Sequence, residues 1–400
     1  MKNKKLADID FKLEWKSPFA EHTDIFRVHK VDIDNDKLPA DFAKKVAALK
    51  VGKSCSQTFP AKDLLDEPHS SHKMIRFKPA LFDSNFKGQN SPAILYRFYP
   101  SAIAWQGLDT DVSDYAPFRL ISMSDDTLVG DRNHPLSKYY LTLTASKIKE
   151  VKAPDDNERR RRHIGKLITF RGPGMQAPFE YGDPVFFAQY PFQRSLQYAS
   201  ELKDDQQVSK PQLDSIAIEE ITKLHSELLP KYSKVLDLMS GESSFLNDDY
   251  EAGLLSGIGT NEEALNANQR LDTYQLQDLN TNVVLPFEDN SFDDAICTLA
   301  IETLTDPLEV MKEIARVINP EGKFIITFSN NNFPDQAISL WSQLHPFERT
   351  QLVLEYFRQT GLFKEINTFS KRGVLKLIDS KNHNKKHISE PVYAVWGTVR

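Results

Sequence analysis

Cysteine is scarce in this 400-residue chain, long apolar runs are absent, and neither sign of charge dominates. The two cysteines, Cys55 and Cys297, lie far apart in the sequence, which argues against a disulfide framework and against a cysteine-based zinc site. No apolar run approaches the roughly 18 residues of a membrane span, and no apolar segment follows the basic N-terminus as it would in a secretory signal. We therefore expect a cytoplasmic protein that does not contact a membrane.

The motifs of several common enzyme classes are also missing. The sequence contains no HExxH, GxxxxGK[ST], GxSxG or CxxC pattern, so it offers neither a metal site nor an identifiable catalytic base. The net charge of −6 argues against binding dominated by nucleic acid. A composition of 40% hydrophobic and 26% charged residues is that of an ordinary globular protein, and the length suggests two or three domains.

What the sequence does contain is an alternation of short apolar strands and amphipathic helices between residues 234 and 328. This spacing is typical of βαβ units and a parallel sheet, in which ligands bind at the carboxyl ends of the strands. The segments that carry the pattern are Val235–Leu238 with the loop Met239–Gly241, Leu254–Gly259, Asp278–Leu279, Leu285–Ala300, the helix Glu309–Ile318, and the strand Lys323–Ser329.

In this order the motifs resemble those of class I S-adenosylmethionine (SAM)-dependent methyltransferases. The most specific part is LPFEDNSFDD (285–294) followed at family spacing by EIARVINPEG (313–322). Four segments resemble one methyltransferase-like subfamily more closely than the family at large, and the first loop of that subfamily is also poor in glycine. These segments are DLMSG, GIGTNEEALNAN, QDLN and FSNNNFP. The resemblance implies a Rossmann-like α/β domain with a mixed seven-stranded sheet, an antiparallel pair of strands at its end, and SAM as methyl donor.

The resemblance also implies a role for individual residues at the SAM site. Asp237 would bind the methionine amine of SAM directly or through the loop amides, and Asp278 would accept a hydrogen bond from the adenine amine. For each carboxylate, the structural alternative is a turn or capping residue. The other positions implied in this site are Met239, Ser240, Gly241, Gly259, Asn261, Leu279 and Thr298.

The first half of the pattern departs from the family. Of three expected glycines after the first strand only the middle one, Gly241, is present, and Met239 in an outer position either lines or blocks the pocket. Gly259 stands where an acid usually holds the ribose hydroxyls. Asn261, two residues later, is expected to cap the next helix and to offer a side-chain oxygen.

Three further polar features have plain structural interpretations. Cys297 lies inside an apolar run, which favours a buried, inert thiol over a residue lining the methyl-transfer site. His134 is a lone histidine and is expected to be structural. Asn330, Asn331 and Asn332 follow the fifth strand, where an asparagine turn is the simpler interpretation and positioning of a substrate the alternative.

The first third of the chain shows a mixed pattern of strands and one helix. We expect a polar tail over residues 1–24 with a short strand at 11–15, then strands at 24–34 and 54–59. A helix is predicted to begin at Leu38-Pro39 and to bury Phe42, Val46 and Leu49. Residues 117–151 are predicted to form a strand, a turn, a strand, a loop and a strand.

Three motifs in this region resemble FKBP-type peptidyl-prolyl isomerases of the SlyD-like branch. They are VAALKVGKS (46–54), PAKDLLD (60–66) and DRNHPLSKYYLTLTASKI (131–148). The resemblance implies an α+β domain over residues 1–152, with an inserted β-rich flap domain at about 68–131 that holds unfolded chains. Leu64 or Leu65 stands in the place of a pocket tyrosine, so weak or absent isomerase activity is expected.

A linker is predicted over residues 153–181, followed by the methyltransferase-like domain over 182–400. Its charge run APDDNERRRR (153–162) is interpreted as a solvated hinge, with a nucleic-acid contact as the minority alternative. The glycine- and proline-rich stretch 165–187 is expected to pack over the methyltransferase-like domain. Within that domain further helices are predicted at 213–229, 335–344 and 348–361, strands near 373–378 and 392–399, and a hairpin tip at 381–389.

The function that the sequence indicates is transfer of the SAM methyl group to an unidentified acceptor. A polypeptide acceptor is consistent with an FKBP-like module that recruits protein chains. Two alternatives remain open at this stage. One is a non-catalytic methyltransferase fold kept as a binding scaffold, and the other is a peptidyl-prolyl isomerase or chaperone.

Overall fold

The structure, a computed structural model, describes residues 5–88, 90–152, 161–180, 182, 186, 192, 213–330, 336–376 and 388–400. Several sequence predictions fall outside these residues, namely most of the charge run (153–160), Asn331 and Asn332, and most of the predicted hairpin tip (381–387). The chain divides into a first unit of Met1–Pro18 and His22–Ala188 and a second of Phe19–Glu21 and Gln189–Arg400. No helix of the described residues is long and apolar enough to cross a bilayer.

The main sheet of the first unit contains four long strands in the order β2-β1-β8-β3, with β8 antiparallel to both of its neighbours. The helices and strands of this unit are β1 (Lys5–Lys16), β2 (Glu21–Asp32), α1 (Ala40–Ala47), β3 (Ser54–Pro60), α2 (Ala61–Leu65), β4 (Met74–Phe77), β5 (Phe98–Pro100), β6 (Pro117–Met123), β7 (Leu128–Asp131), β8 (Tyr140–Lys152) and α3 (Ile164–Thr169). Short 3₁₀ turns occur at Ser71–Lys73, Pro79–Leu81, Phe86–Gly88 and Ser101–Ala104.

Strand β1 shows that the predicted polar tail is wrong. Ile9, Phe11, Leu13 and Trp15 alternate along the strand and are all buried, while the polar residues between them fall on the other face. This period of two is that of a half-buried strand, and the strand pairs along most of its length with β8. The many charged residues of the segment had suggested a polar tail with only a short strand at 11–15.

The core of the first unit forms between this sheet and α1. Phe42 and Val46 of α1 are fully buried and Leu49 packs against the same cluster, as the helical spacing predicts. Leu64 and Leu65 of α2 belong to this core as well. The position that the resemblance assigns to a pocket tyrosine is therefore filled by aliphatic core side chains.

A second, smaller sheet is inserted in the chain between α2 and β8. Its strands pair in the order β4-β7-β6-β5, all antiparallel, and lie within residues 74–131. It has a hydrophobic cluster of its own, to which Phe77, Phe118, Leu120 and Leu128 contribute. The predicted sequence of strand, turn and strand followed by a last strand after a loop corresponds to β6, β7 and β8.

Arg162, the last arginine of the charge run, is held by the first unit. Its guanidinium contacts the buried Asp36 carboxylate at 2.6 Å and donates to the carbonyl oxygens of His29 and Lys30 at 3.2 and 2.9 Å. Lys37 N also donates to the Arg162 carbonyl at 2.7 Å. The end of the predicted hinge is thus anchored by a partly buried ion pair, whereas a solvated run was expected.

The second unit places seven described strands in the order β11-β10-β9-β12-β13-β15-β14 of a mixed sheet. Strands β9 to β13 pair with one another in parallel, and β15 is antiparallel to both β13 and β14. Its helices and strands are α4 (Ser215–Leu228), β9 (Lys234–Leu238), β10 (Leu254–Gly259), α5 (Glu262–Ala267), β11 (Thr273–Leu276), β12 (Asp294–Thr298), α6 (Pro307–Val317), β13 (Lys323–Ser329), α7 (Ser339–Gln343), α8 (Pro346–Thr360), β14 (Phe363–Arg372) and β15 (Val392–Val399).

Most element predictions in this unit agree with the structure, and one strand is displaced. Strand β14 begins at Phe363, directly after Gly361 ends α8 in the left-handed conformation (φ +66°), instead of near residue 373. Polar residues interleaved with apolar ones had hidden this strand. Helix α4 begins after Asp214, which caps it, and Ile218 of this helix is exposed.

Candidate functional site

The candidate site lies at the carboxyl edge of the parallel strands of the second unit. Strand β9 is central, with β10 and β11 on one side and β12 and β13 on the other. The strand order therefore reverses between β9 and β12, and in open α/β sheets ligands bind in the crevice at such a point. The predicted SAM-site residues lie at the carboxyl ends of β9, β10 and β12 or in the loops that follow β9, β10 and β11.

The loop after β9 is held by polar contacts. Asp237 is buried at the end of the strand, and its Oδ2 accepts a hydrogen bond from Ser240 Oγ at 2.7 Å. Ser240 N in turn donates to the Ile258 carbonyl of β10 at 2.7 Å. Met239, between them, has φ +56°, a left-handed conformation in which glycine is the least strained residue. The sharp turn of the family is thus made here by a methionine.

Asn268 fixes the far end of this loop and was missed by the sequence reasoning. Its amide Nδ2 donates to the Gly241 carbonyl at 3.0 Å and to Ser244 Oγ at 2.9 Å, and the residue is almost fully buried. These bonds anchor the loop from outside. Asn268 stands at the end of the quoted motif GIGTNEEALNAN, where nothing distinguishes it from a solvent-exposed asparagine.

Gly259 is required because the loop after β9 lies against it. A Cβ at this position would be 2.6 Å from the Ser240 carbonyl oxygen, and the Gly259 carbonyl accepts from Gln277 N at 2.9 Å. A side chain at the position that the resemblance assigns to a ribose-binding acid would therefore clash with the backbone at its Cβ. Asn261 is exposed, and its Oδ1 caps α5 by accepting from Ala264 N at 2.9 Å, as predicted for a capping residue.

Asp278 and Leu279 follow β11 at the same edge. Asp278 Oδ1 accepts from Asn280 N at 2.9 Å, whereas Oδ2 has no hydrogen-bond partner within the described part of the chain. Leu279 is buried. Asn280 Oδ1 accepts from both the amide and the hydroxyl of Thr305 at 2.8 and 2.9 Å, so the loops after β11 and β12 are joined.

The two most specific sequence motifs contact each other. Arg316 of α6 donates to the carbonyls of Leu285 and Phe287 at 3.1 and 2.9 Å, and Glu313 Oε2 accepts from Leu285 N at 2.9 Å. Gly322 ends the second motif, where a Cβ would be 2.0 Å from the Asp293 carbonyl oxygen. Helix α6 thereby holds the chain that leads into β12.

The carboxyl end of β12 carries buried polar atoms. Thr298 Oγ1 is buried and has no hydrogen-bond partner among the described residues. Cys297 beside it is fully buried, and desolvation, together with the nearby charges of Glu302 and Asp237, raises the pKa of its thiol well above the usual value. Leu299 then adopts φ +56°. A strained non-glycine residue thus follows each of the two central strands, at Met239 and Leu299.

Glu302 is the polar residue of this edge that sequence reasoning did not identify. It lies in a 3₁₀ turn, Ile301–Thr303, and is 2% exposed, and its Oε2 has no hydrogen-bond partner among the described residues. Desolvation raises the pKa of its carboxyl to about 7, with the charge of Arg349 opposing the shift. The one signal in the sequence was an acid inside the apolar run LAIETL.

Arg349 and Tyr356, both on α8, are ionisable groups that interact electrostatically with Glu302. Arg349 Nε donates to the Trp341 carbonyl at 2.9 Å, and its guanidinium lies 5.4 Å from the centre of the Trp341 ring. Burial lowers the pKa of Arg349, and burial with the Glu302 charge raises that of Tyr356. The buried Glu302 carboxyl therefore interacts with buried ionisable groups of α8.

The remaining predicted polar residues are placed away from this group or at its border. His134 lies in the first unit, where its Nδ1 accepts from Leu136 N at 3.1 Å and its Nε2 is 3.3 Å from the Thr169 carbonyl oxygen. Burial lowers the pKa of its ring to about 4, in keeping with a structural role. Asn330 is exposed directly after β13.

Comparison with known proteins identifies a domain within the second unit. Residues 236–326 match the family model described as a methyltransferase domain, a range that begins in β9 and ends in β13. The match and the strand order together give a Rossmann-like methyltransferase fold. They support SAM as the cosubstrate of this domain.

Curated relatives align with part of the chain. Demethylmenaquinone methyltransferase of Bacillus cereus is 33% identical over 102 residues, which is 23% of this chain and 43% of the relative. The Bacillus licheniformis protein of the same name is 32% identical over 104 residues, or 24% of this chain and 45% of the relative. The chain thus spans less than half the length of these relatives.

Solved structures also align with part of the chain. A Haloferax volcanii complex of the Trm112 methyltransferase activator with a protein described as a methyltransferase has 20% identity and a TM-score of 0.33, covering 45% of this chain and 89% of that chain. A SAM-dependent methyltransferase of Thermotoga maritima has 17% identity and a TM-score of 0.33, covering 46% of this chain and 89% of that chain.

Proposed function

Given the methyltransferase domain of residues 236–326, we propose that the protein transfers the methyl group of SAM to an acceptor molecule. The observation that carries this proposal is the set of polar groups gathered where the strand order reverses. Asp237 and Thr298 lie at the carboxyl ends of β9 and β12, and Asp278 follows β11 at the same edge. Buried polar atoms without partners are rare in folded proteins, and Thr298 Oγ1 is such an atom within the described residues.

Each predicted site residue has a role in this proposal. Asp237 would hold the methionine amine together with the anchored loop, and Asp278, whose Oδ2 is available, would accept from the adenine amine beside Leu279. In place of the ribose-binding acid that is missing at Gly259, Asn261 would offer its side-chain oxygen two residues later. The loop positions that complete the proposed SAM site are Met239, Ser240 and Gly241, with Thr298 on the opposite side of the crevice.

The protein's part in such a reaction is mainly positioning. Bound SAM would supply a methyl group whose bond to sulfur breaks, with the electron pair left on sulfur, as an acceptor lone pair bonds to the carbon. The chain's own residues would align the two partners and exclude water, which accounts for much of the rate enhancement in reactions of this kind. The bonds from Asn268, Ser240 and Arg316 preorganise the loops for this task.

A site-resolved labelling experiment tests the proposal. Ultraviolet irradiation of the full chain with SAM tritiated in its methyl group should label a peptide within residues 236–305, and excess unlabelled SAM should abolish the label. A label outside this range, or one that unlabelled SAM does not displace, would contradict the proposed site.

For the first unit we propose a polypeptide-binding role in an FKBP-like module, with weak or absent isomerase activity. The inserted four-stranded sheet with its own core supports a separate flap domain, and buried Leu64 and Leu65 in place of a pocket tyrosine argue against isomerisation. The full chain should slow aggregation of reduced, unfolded lactalbumin without accelerating prolyl isomerisation in a peptide. A chain that accelerates isomerisation, or leaves aggregation unchanged, would overturn this assignment.

A non-catalytic scaffold is the alternative for the second unit. The observation that favours it is Gly259, because the backbone of the neighbouring loop occupies the place of the ribose-binding acid. The two proposals differ in a measurable way, since a scaffold that has lost its cosubstrate gives no displaceable label with tritiated SAM.

A further inference from the structure

Glu302 lies in the segment that crosses the carboxyl edge next to the proposed SAM site. The segment leaves β12 at Thr298 and is tied at Thr305 to Asn280 in the loop after β11. On the other side, the Glu302 carbonyl accepts from Ile338 N at 2.8 Å. The backbone of Glu302 is therefore fixed from two directions, in a segment tied to the loop that carries Asp278.

Two observations place the Glu302 carboxyl near the end of β9 as well. Cys297 of β12 is paired in register with Leu238, the residue after Asp237. The Cys297 thiol is affected by the charges of both Glu302 and Asp237. The two carboxyl groups consequently lie within electrostatic range of one side chain at the point where the strand order reverses.

One oxygen of the Glu302 carboxyl lacks a partner. The side chain is 2% exposed, and its Oε2 has no hydrogen-bond partner among the described residues. Its charged form is stabilised by its own backbone N–H and by the charge of Arg349, with which it forms no ion pair among those residues. Burying a carboxylate without a partner is costly, so proteins rarely retain one that serves only the fold. A positively charged group of a ligand would supply the missing partner.

We propose that Glu302 recognises the positive sulfonium of SAM and makes the site prefer SAM to its neutral product S-adenosylhomocysteine. This inference rests on the proposed function. Methyl transfer removes the positive charge from sulfur, so the attraction disappears when the product forms. Glu302 then acts as a specificity-determining residue that favours binding of the substrate and release of the product.

A proton-linked difference between the two ligands follows from the same arrangement. In the free protein the pKa of Glu302 is raised to about 7 by desolvation, and the groups that face it are Arg349 and Tyr356 from α8 and Cys297 from β12. A nearby cation favours the ionised carboxylate, so SAM binding at pH 7 should release about half a proton from this group. S-adenosylhomocysteine has the same amine and carboxylate but no sulfonium, and should release none from Glu302.

The test is calorimetric titration of the full chain with SAM and with S-adenosylhomocysteine at pH 7 in phosphate and in Tris, whose ionisation enthalpies differ. The wild-type protein should release protons with SAM only. Glu302→Gln, which keeps the shape of the side chain, should abolish the release and lower the ratio of SAM to S-adenosylhomocysteine affinity at least tenfold.

Asp294→Asn is the matched control. Asp294 is a buried carboxyl with a raised pKa at the opposite, amino end of β12, where its Oδ1 accepts from Lys323 N at 2.9 Å. This variant should leave both the proton release and the affinity ratio unchanged.

Equal proton release with the two ligands, or an unchanged affinity ratio in Glu302→Gln, would overturn the role of Glu302 while leaving the methyltransferase proposal intact. The wild-type comparison decides the question even if the variant fails to fold. Absence of binding of either ligand would contradict the methyltransferase proposal and this inference with it.

Discussion

At the scale of single residues, the loop after β9 shows how a turn that usually requires glycine is built without it. Met239 takes the left-handed conformation at a cost of about 1 kcal/mol, and hydrogen bonds from Ser240 and Asn268 hold the loop in place. The close approach of the Ser240 carbonyl then makes glycine obligatory in the next strand, at Gly259. The position that requires glycine is therefore Gly259, in the strand against which the loop packs, and not Met239 in the loop.

Substituting Gly259 tests this interpretation. In Gly259→Ala the new Cβ would meet backbone 2.6 Å away, so we expect loss of about 1–3 kcal/mol in the free energy of unfolding and at least tenfold weaker SAM binding. The measurements are urea-induced unfolding and calorimetric titration.

Gly257→Ala, two residues earlier in the same strand, is the control. There the nearest atom, also at 2.6 Å, is the end of the flexible Leu271 side chain, which is able to move aside. Similar losses of SAM affinity in the two variants would show that the contact with the loop does not matter.

Sequence reasoning identified the residues of this site that belong to a motif and missed those defined by their surroundings. Asp237 and Asp278 follow recognisable strand patterns and lie at the carboxyl edge, although their contact with SAM stays a prediction. Glu302 and Asn268 were missed because their burial depends on elements distant in sequence. Arg349, for example, comes from α8, 47 residues after Glu302.

At the scale of elements, the contact of α6 with the loop before β12 explains why two sequence motifs occur together. Arg316 forms hydrogen bonds with the Leu285 and Phe287 carbonyls and ion pairs with Glu313 and Asp289. The planar guanidinium reaches several acceptors at once, which a lysine ammonium does not reproduce. The two motifs therefore occur together because Arg316 of the second binds the backbone of the first.

Arg316→Lys should weaken this contact between the two motifs. We expect a decrease of about 1–3 kcal/mol in the free energy of unfolding, because the Leu285 and Phe287 carbonyls lose their donors. Lys312→Ala on the same helix removes only an exposed ion pair with Glu309 and should change stability by less than about 0.5 kcal/mol. Urea-induced unfolding of both variants measures these changes. Equal losses of stability in the two variants would contradict the stabilising role of Arg316.

Elements were predictable where an apolar pattern was strong and uninterrupted. Strands β10 and β13 occupy the predicted residues, and all but the first residue of each strand are buried. Strands β1 and β14 were misjudged because their solvent-facing residues are charged or polar, so that the alternation was hidden. In both cases pairing with a neighbouring strand defines the element more than composition does.

At the scale of the whole molecule, buried histidines couple stability to pH in both units. Desolvation lowers the pKa of His22 to about 3 and those of His134 and His225 to about 4, so all three are neutral in the folded protein at neutral pH. The unfolded chain binds protons at these groups below its normal pKa of about 6.5. Their contribution to stability is therefore full above pH 6.5 and is lost as the pH falls toward 4.

We expect the free energy of unfolding to decline between pH 6.5 and 4, by up to about 1.4 kcal/mol per pH unit for each histidine. Urea-induced unfolding at pH 7.5, 6 and 5 measures the slope. His225→Gln should reduce the slope of the second unit, whereas His72→Gln at an exposed position should leave it unchanged. A slope that His225→Gln does not alter would contradict the neutral buried state of this ring.

The division into two modules was also suggested by the sequence alone, because the motifs of residues 1–152 and 232–328 belong to different patterns. Their exact boundaries stay predictions. The change in composition around residues 153–181 indicated a linker. The ion pair of Arg162 with Asp36 was not predictable, because it joins residues more than 120 positions apart in the sequence. No local pattern predicts such a contact.

The measurement that most directly tests the central claim is calorimetric titration of the full chain with SAM, repeated on Asp278→Ala. We predict saturable binding at one site and at least tenfold weaker binding in the variant, since the charged acceptor for the adenine amine is lost. Asp249→Ala, an exposed aspartate of the same unit, should bind SAM as the wild type does. No binding by the wild type at millimolar SAM would contradict the account.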